Sequence, residues 1–319
     1  MKTAVRQLRF RLDETALPQY IDLGECLSIV NRRLYRQGMV YYVESFGWRS
    51  APNPAGDSVQ LNSLQTSWTV YNSWKKAFAL WNKMNRKAAK DSGLGRNAYP
   101  AFHDFKVLFD ESHYLEKDHI NSNLLPMDGA SNLFSDTGRE WSYSQYVSPV
   151  AGGAAAPQEN AVHMLGGDSA LPNAYLQTDG SNGVIQMYGD TRITVGAAEP
   201  DLPGDASTSW ATDLMDTGTT DPTIIQHLEW INDRPPYGHA LDAQAGDNPM
   251  YVGGTETGTG GHRIVDIYPI AGESVYAAGG EVPLGLLEVN GGDNGLLTIN
   301  LAPGMYDGIA ALKMQKVPT

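Results

Sequence analysis

Two Asp-Thr-Gly triplets, Asp136-Thr137-Gly138 and Asp216-Thr217-Gly218, are the residues of this chain whose type and spacing first suggest chemistry. Two carboxylates sharing one proton can activate a water molecule for hydrolysis. Against that use, the triplets stand only 80 residues apart, the segment SWATDLM before Asp216 is polar and helix-like, and no Tyr-x-Thr-Gly follows the first triplet. Asp-Thr-Gly is also ordinary turn chemistry. A second candidate is Gly167-Asp168-Ser169-Ala170-Leu171, where Ser169 could act as a nucleophile if a histidine served it. It lies in a Gly-rich stretch, and the one Asp-x-x-His, Asp110 to His113, precedes it. The seven histidines, His103, His113, His119, His163, His227, His239 and His262, show no compact ligand spacing, so no metal site is expected. No phosphate-cradling Gly loop opens a helix, and no cofactor is expected. The loops Asp179 to Gly183 and Asn290 to Gly295 have the oxygen-rich composition that can hold calcium. They lack EF-hand spacing and read as turns.

The stronger pattern is cationic. In Val70 to Gly93, the residues Val70, Trp74, Ala77, Phe78, Leu80, Trp81, Met84 and Ala88 share one side of a helix at about 100° per residue. Lys75, Lys76, Lys83, Arg86, Lys87 and Lys90 share the other, with no carboxylate among them before Asp91. Solvated helix faces usually mix Glu with Lys, because opposite charges at i,i+4 attract and like charges repel. An all-positive stripe points to a counter-anion. Trp74 and Trp81 lie opposite the lysines and are assigned to packing rather than to base stacking.

Two thirds of the chain cannot share that role. Residues 1 to 106 contain 16 Lys+Arg and 8 Asp+Glu, whereas residues 107 to 319 contain 7 and 28. The net charge of -13 thus hides a basic third and a strongly acidic remainder. Such asymmetry implies one surface meeting a polyanion and another facing solvent. The single cysteine, Cys26, excludes an internal disulfide and a cysteine metal cluster within one chain. No run of 18 apolar residues appears, and MKTAVRQLRFRL lacks the apolar core of a signal peptide. Neither membrane spanning nor export is expected.

The elements that would position these cations read as mainly β. Thr3 to Leu12 alternates Leu8, Phe10 and Leu12 with Gln7, Arg9 and Arg11, a strand with arginines on one face and Arg6 before them. Asp22 to Gly38 reads as a helix capped by Asp22, with Leu23, Leu27, Val30 and Leu34 inward, Arg32, Arg33 and Arg36 near its end, and Gly38 as its stop. Met39 to Trp48 is a β-branched and aromatic strand. Further strands are expected at 59–70, 104–110, 139–147, 184–188, 192–195, 262–270, 281–290, 296–301 and 309–316. Segments 206–215 and 223–232 read as short helices, and 151–183 and 235–261 as long loops. About ten strands with tight turns predict an antiparallel β-sandwich, a single jelly roll with long loops and a few helical insertions, over residues 1–319 as one domain.

Three stretches carry a family resemblance. Asn31-Arg32-Arg33-Leu34-Tyr35-Arg36-Gln37-Gly38 running into an aromatic strand, the Trp/Lys helix at 74–90, and the ending Val282-Pro283-Leu284-Gly285-Leu286-Leu287-Glu288-Val289 with Leu301-Ala302-Pro303-Gly304-Met305-Tyr306-Asp307-Gly308 resemble capsid proteins of small circular single-stranded DNA viruses. The resemblance covers the N-terminal third and about the last forty residues. It implies a jelly-roll shell subunit whose basic surface meets the packaged genome. Many members begin with a long Arg-rich arm, and this chain has only Lys2, Arg6, Arg9 and Arg11 there. The folded cations must then replace the arm.

The expected function is therefore that of a major capsid protein, not an enzyme, located in the virion, with itself and non-specifically bound nucleic acid, single-stranded DNA, as partners. No small-molecule substrate or membrane partner is expected. Arg6, Arg9, Arg11, Arg32, Arg33, Arg36, Lys75, Lys76, Lys83, Arg86, Lys87 and Lys90 are the expected contacts, because phosphate neutralisation needs cations at a shared surface and no base-reading geometry. The alternatives are a soluble or surface β-sandwich binding or adhesion module, in which the basic helix only packs, and an aspartic-type hydrolase using Asp136 and Asp216.

Overall fold

The alternation in Gln7–Leu12 (β1) is realised residue by residue: Leu8, Phe10 and Leu12 are buried and Gln7, Arg9 and Arg11 exposed. The computed structural model describes residues 3–12, 18–50, 58–93, 102–116, 123–128, 141–148, 158–174, 176–189, 261–268, 270, 273–292 and 295–317. They fall into two compact units: Met1–Thr66 with Asp104–Tyr143 and Gly261–Pro318, and Ser67–His103 with Ser144–Gly260. The basic third and the acidic remainder are each divided between the two.

The first unit is an antiparallel sandwich. One sheet has the order β1, β13 (Gly295–Leu301), β3 (Met39–Arg49), β10 (Ser274–Ala278), and two short strands, β11 (Glu281–Pro283) and Ala311–Lys313, also pair with β3. The other has the order β2 (Gln19–Asp22), β12 (Leu286–Gly291), β4 (Val59–Ser63), β9 (His262–Ile267). All these pairings are antiparallel. Numbering the eight main strands along the chain, the sheets read 1-8-3-6 and 2-7-4-5. Each sheet turns one face inward: Leu8, Phe10, Phe46, Trp48, Leu297 and Ile299 from the first meet Ile21, Val59, Leu61, Leu287 and Val289 from the second in one buried cluster. Removing a side chain such as Leu297 or Phe46 from water contributes about 1.5–3 kcal/mol.

Trp48 is closely hemmed. The turn from β12 into β13 brings Gly292 and Gly295 onto its indole, and a Cβ at Gly295 would overlap Cη2 and Cζ2. The turn glycine thus serves close approach as well as chain reversal. Gly295→Ala should lower unfolding stability by about 1–3 kcal/mol, the usual cost of overpacking; an unchanged urea midpoint would mean that the indole can move aside.

Helix α1 (Leu23–Asn31) follows β2 directly. Asp22 caps it by accepting the N–H groups of Gly24 (2.9 Å) and Glu25 (3.2 Å). It ends earlier than the expected stop at Gly38, because Arg32 adopts the left-handed conformation (φ 55°) and Ser28 Oγ accepts the Tyr35 N–H, turning the chain into β3. Also in this unit are β5 (Leu108–Asp110) and α3 (Glu111–Glu116).

The second unit holds α2 (Trp68–Asp91), capped by Ser67, and the strands β6 (Gln145–Ser148), β7 (Gln158–Leu165) and β8 (Gly180–Gly183). β7 pairs antiparallel with β6 and parallel with β8. Several expectations are corrected here. The strand begun at Val59 ends at Ser63, and the helix begins at Trp68. Residues 151–183 are not one loop, since β7 and β8 lie in them. Residues 184–189 are helical rather than a strand; Val184, Ile185, Met187 and Tyr188 are all buried, and an apolar run buried on several sides carries no period to separate the two. Strands β2 and β10 were not expected. The readings at 192–195, 206–215 and 223–232 and most of that at 235–261 lie outside the described residues.

Candidate nucleic-acid interface

The expected contact residues gather in separate places. In the first unit, Asn31 at the end of α1 clasps the N-terminal segment, accepting the Val5 N–H at 2.7 Å and donating to the Val5 carbonyl at 3.1 Å. That clasp ties the residue before Arg6 to the residue before Arg32 and Arg33, and all three arginines are exposed. Arg9 and Arg11 stand on the solvent face of β1, where Arg9 Nη2 donates to Gln7 Oε1 at 3.0 Å. Arg36 differs: its Nη1 lies 3.3 Å from Asp104 Oδ1. Burial raises the Asp104 carboxyl above its ordinary value, against the pull of Arg36 and Lys106. A phosphate at Arg36 must compete with that carboxylate.

The turn that carries Arg32, Arg33 and Arg36 is held by a buried polar network. Asp22 Oδ2 accepts from Gln37 Nε2 (2.8 Å) and Trp141 Nε1 (3.2 Å). Gln37 also donates to the Val107 carbonyl and accepts the Val107 N–H. Burial, then the charge of Glu25, pushes Asp22 up to about 7 against those hydrogen bonds. Lys106 Nζ sits 4.6 Å over the Trp141 ring, a cation–π contact.

The network continues through Asn123, whose Nδ2 donates to Glu25 Oε2 (2.9 Å) and Tyr143 Oη (2.7 Å). Its Oδ1 lies 2.7 Å from His113 Nε2. His113 Nδ1 accepts the Phe109 N–H, which places the ring proton on Nε2, facing Asn123. Tyr20 stacks on His113 with centroids 4.1 Å apart and donates to Asp110. Burial pushes Asp110 up to about 6. Asp22, Glu25, His113 and Asn123 are each at most 3% exposed, so this cluster positions the chain and offers no access to a substrate.

In the second unit the cationic stripe is graded. Trp74, stacked on Phe78, and Val70, Ala77 and Leu80 form the buried face. Ala88, expected on it, is exposed. Trp81 is half-buried and stacks on His103 (4.5 Å). Lys75 and Lys76 are half-buried: burial lowers Lys75 below its ordinary value, and Lys76 Nζ lies 4.9 Å over the Tyr188 ring. Lys83, Arg86, Lys87 and Lys90 are exposed. The last two turns therefore offer the most accessible charge.

Among the described residues, Ser169 gains no histidine partner. Asp136 and Asp216 lie outside the described residues, as do His119, His227 and His239. Ser169 Oγ accepts the Leu171 N–H (3.4 Å). His163 turns instead to Ser181 Oγ (2.5 Å) and the Gly167 carbonyl (2.9 Å). Burial lowers His163 to about 4, a neutral ring inside the unit. Asp168 accepts the Gly183 N–H. Among the described residues no group of three His, Cys, Asp or Glu side chains could hold a metal ion, and no helix is long and apolar enough to cross a membrane.

One cation was missed. Arg49, the last residue of β3, is exposed and aligns with Leu296 of β13, which aligns with Arg11 of β1. Its signal was the step from Phe46 over Gly47 to Trp48, inward and outward in turn, carried one residue further. Compared with protein-family models, with curated proteins and with solved structures, the chain matches none.

Proposed function

We propose that the chain is the subunit of a self-assembling viral shell, a single jelly roll that packages single-stranded DNA through folded basic surfaces. The observation that carries this reading is the strand order 1-8-3-6 against 2-7-4-5, all antiparallel, which matches the winding of a jelly roll, an architecture of capsid and lectin domains. Charge favours the shell over a lectin-like module. Arg6, Arg32 and Arg33 follow the two residues that one clasp joins, Arg9 and Arg11 share one strand face, and Lys83, Arg86, Lys87 and Lys90 share the exposed end of a helix. Non-specific packaging needs such clusters and no fixed base-reading geometry.

Size-exclusion chromatography with light scattering, reading absorbance at 260 and 280 nm, tests the proposal. Large uniform particles with nuclease-resistant absorbance at 260 nm are expected. Replacing Lys83, Arg86, Lys87 and Lys90 by Gln should lower the enclosed nucleic acid several-fold while particles still form, and make the affinity that remains less dependent on salt. Particles with unchanged nucleic acid would remove the helix from packaging. A monomer or dimer at every salt concentration would overturn the shell and favour a surface-binding sandwich.

A further inference from the structure

The face of the β1–β13–β3–β10 sheet turned away from the core is laid out in rows by the strand register. One row runs Arg9, Thr298, Gly47, Tyr276; the next runs Arg11, Leu296, Arg49, Ser274; a third runs Gln7, Asn300, Ser45, Ala278. Rows on one face lie about 7 Å apart and strands about 5 Å apart. These positions hold three arginines and no carboxylate, with Glu44 and Glu273 flanking them in sequence.

Tyr276 stands on the edge strand opposite the one that carries Arg9 and Arg11, with Arg49 on the strand next to it, and is 61% exposed. Its ring fills the space over Gly47: a Cβ built there would stand 2.6 Å from Tyr276 Cε1. The absent side chain lets the ring settle on the backbone, and its remaining surface meets solvent. Aromatic side chains more often lie at least partly buried. Here it is held in place on a sheet, one strand from Arg49 and in the same row as Arg9. Sequence-tolerant binding of single strands combines these two parts: aromatic rings for base faces and cations along the backbone. In a duplex the base faces are already stacked, so a ring gains little from it.

We propose that this sheet face binds single-stranded nucleic acid, a base stacking on Tyr276 while Arg9, Arg11 and Arg49 hold phosphates. The proposal deepens the packaging reading and rests on it for the biological source of the strand. The test is fluorescence anisotropy of a labelled oligothymidylate and of a random-sequence duplex, titrated with the full chain at several salt concentrations. Tyr276→Leu, which still covers Gly47, should weaken single-strand binding about tenfold, within the range for one stacked base, and leave duplex binding unchanged. Tyr276→Phe should bind as the parent does. Arg49→Gln should reduce the slope of log affinity against log salt by about 0.7.

Single-strand binding by Tyr276→Leu equal to the parent's, with parental thermal unfolding, would overturn the proposal. So would equal losses on both probes. The two readings fail separately: particles that enclose nucleic acid while Tyr276→Leu binds the oligothymidylate normally would sink this inference alone. Ring-dependent binding by a chain that never forms particles would sink packaging and leave the inference standing.

Discussion

Asn123→Leu should cost about 4 kcal/mol of unfolding stability, the range for breaking a buried charged network by removing one partner. The side chain is 3% exposed and serves three neighbours at once, Glu25, Tyr143 and His113. Leucine fills much of the same volume and can neither donate to the Glu25 carboxylate nor accept the His113 Nε2 proton. The loss is therefore electrostatic rather than one of packing. Asn123 also begins a segment sewn onto the sandwich: the Leu124 N–H donates to the Tyr20 carbonyl, and the Met127 N–H to the Arg9 carbonyl. Loosening it releases a support of the strand that carries Arg9. Urea unfolding at constant m gives the answer. If Glu25→Leu is added to Asn123→Leu, part of the loss should return, because an apolar pair leaves no carboxylate to desolvate. A cost below about 1 kcal/mol for Asn123→Leu would show that water replaces the amide and that the network does not stiffen this region.

Local rules reach some of this architecture and not the rest. The β1 alternation, the Asp22 cap and the amphipathic α2 depend on neighbours within a few residues, and each was readable with the arginines and lysines it presents. β7 was hidden because Gln158–Leu165 is buried on both faces over its last six residues, leaving no alternation in a segment rich in Ala, Gly and Pro. β10 was hidden by brevity: Ser274–Ala278 becomes a strand by pairing with β3, more than 220 residues earlier in the chain. With β10 went Tyr276, and with the register went the link between Arg11 and Arg49. The network around Asn123 was equally invisible, since Glu25 is of a type that composition assigns to the surface, and His113 and Tyr143 are of types it leaves undecided. Where they meet depends on tertiary contacts alone. The proposed packaging rests on surface charge, which the sequence displays.

Raising the pH from 5 to 7.5 should weaken the parent chain more than Asp22→Asn, with a difference on the order of 3 kcal/mol, two pH units at 1.36 kcal/mol each. Burial holds the folded Asp22 carboxyl at about 7, above the 3.8 of an ordinary aspartate. Between those values the native chain keeps a proton that the unfolded chain has released. Stability therefore falls as pH rises through this window and levels off above about 7. Asp110, held at about 6, acts in the same direction over a shorter window. His163 acts oppositely: its folded value of about 4 lies below the ordinary 6.5, so the unfolded chain binds the extra proton and stability rises with pH across that interval. Comparing slopes isolates Asp22, because Asp110 and His163 are common to both proteins. Asparagine keeps an oxygen for the Gly24 and Glu25 N–H groups but turns an amide N–H₂ toward Gln37 and Trp141, so the variant should be less stable than the parent in acid. The shallower slope is the informative quantity. Urea midpoints at pH 5, 6, 7 and 7.5, followed by tryptophan fluorescence, provide it. Parallel pH dependences in the two proteins would mean that the four N–H groups around Asp22 keep it ionised throughout, and the buried cap would then be a fixed charge rather than a titrating one.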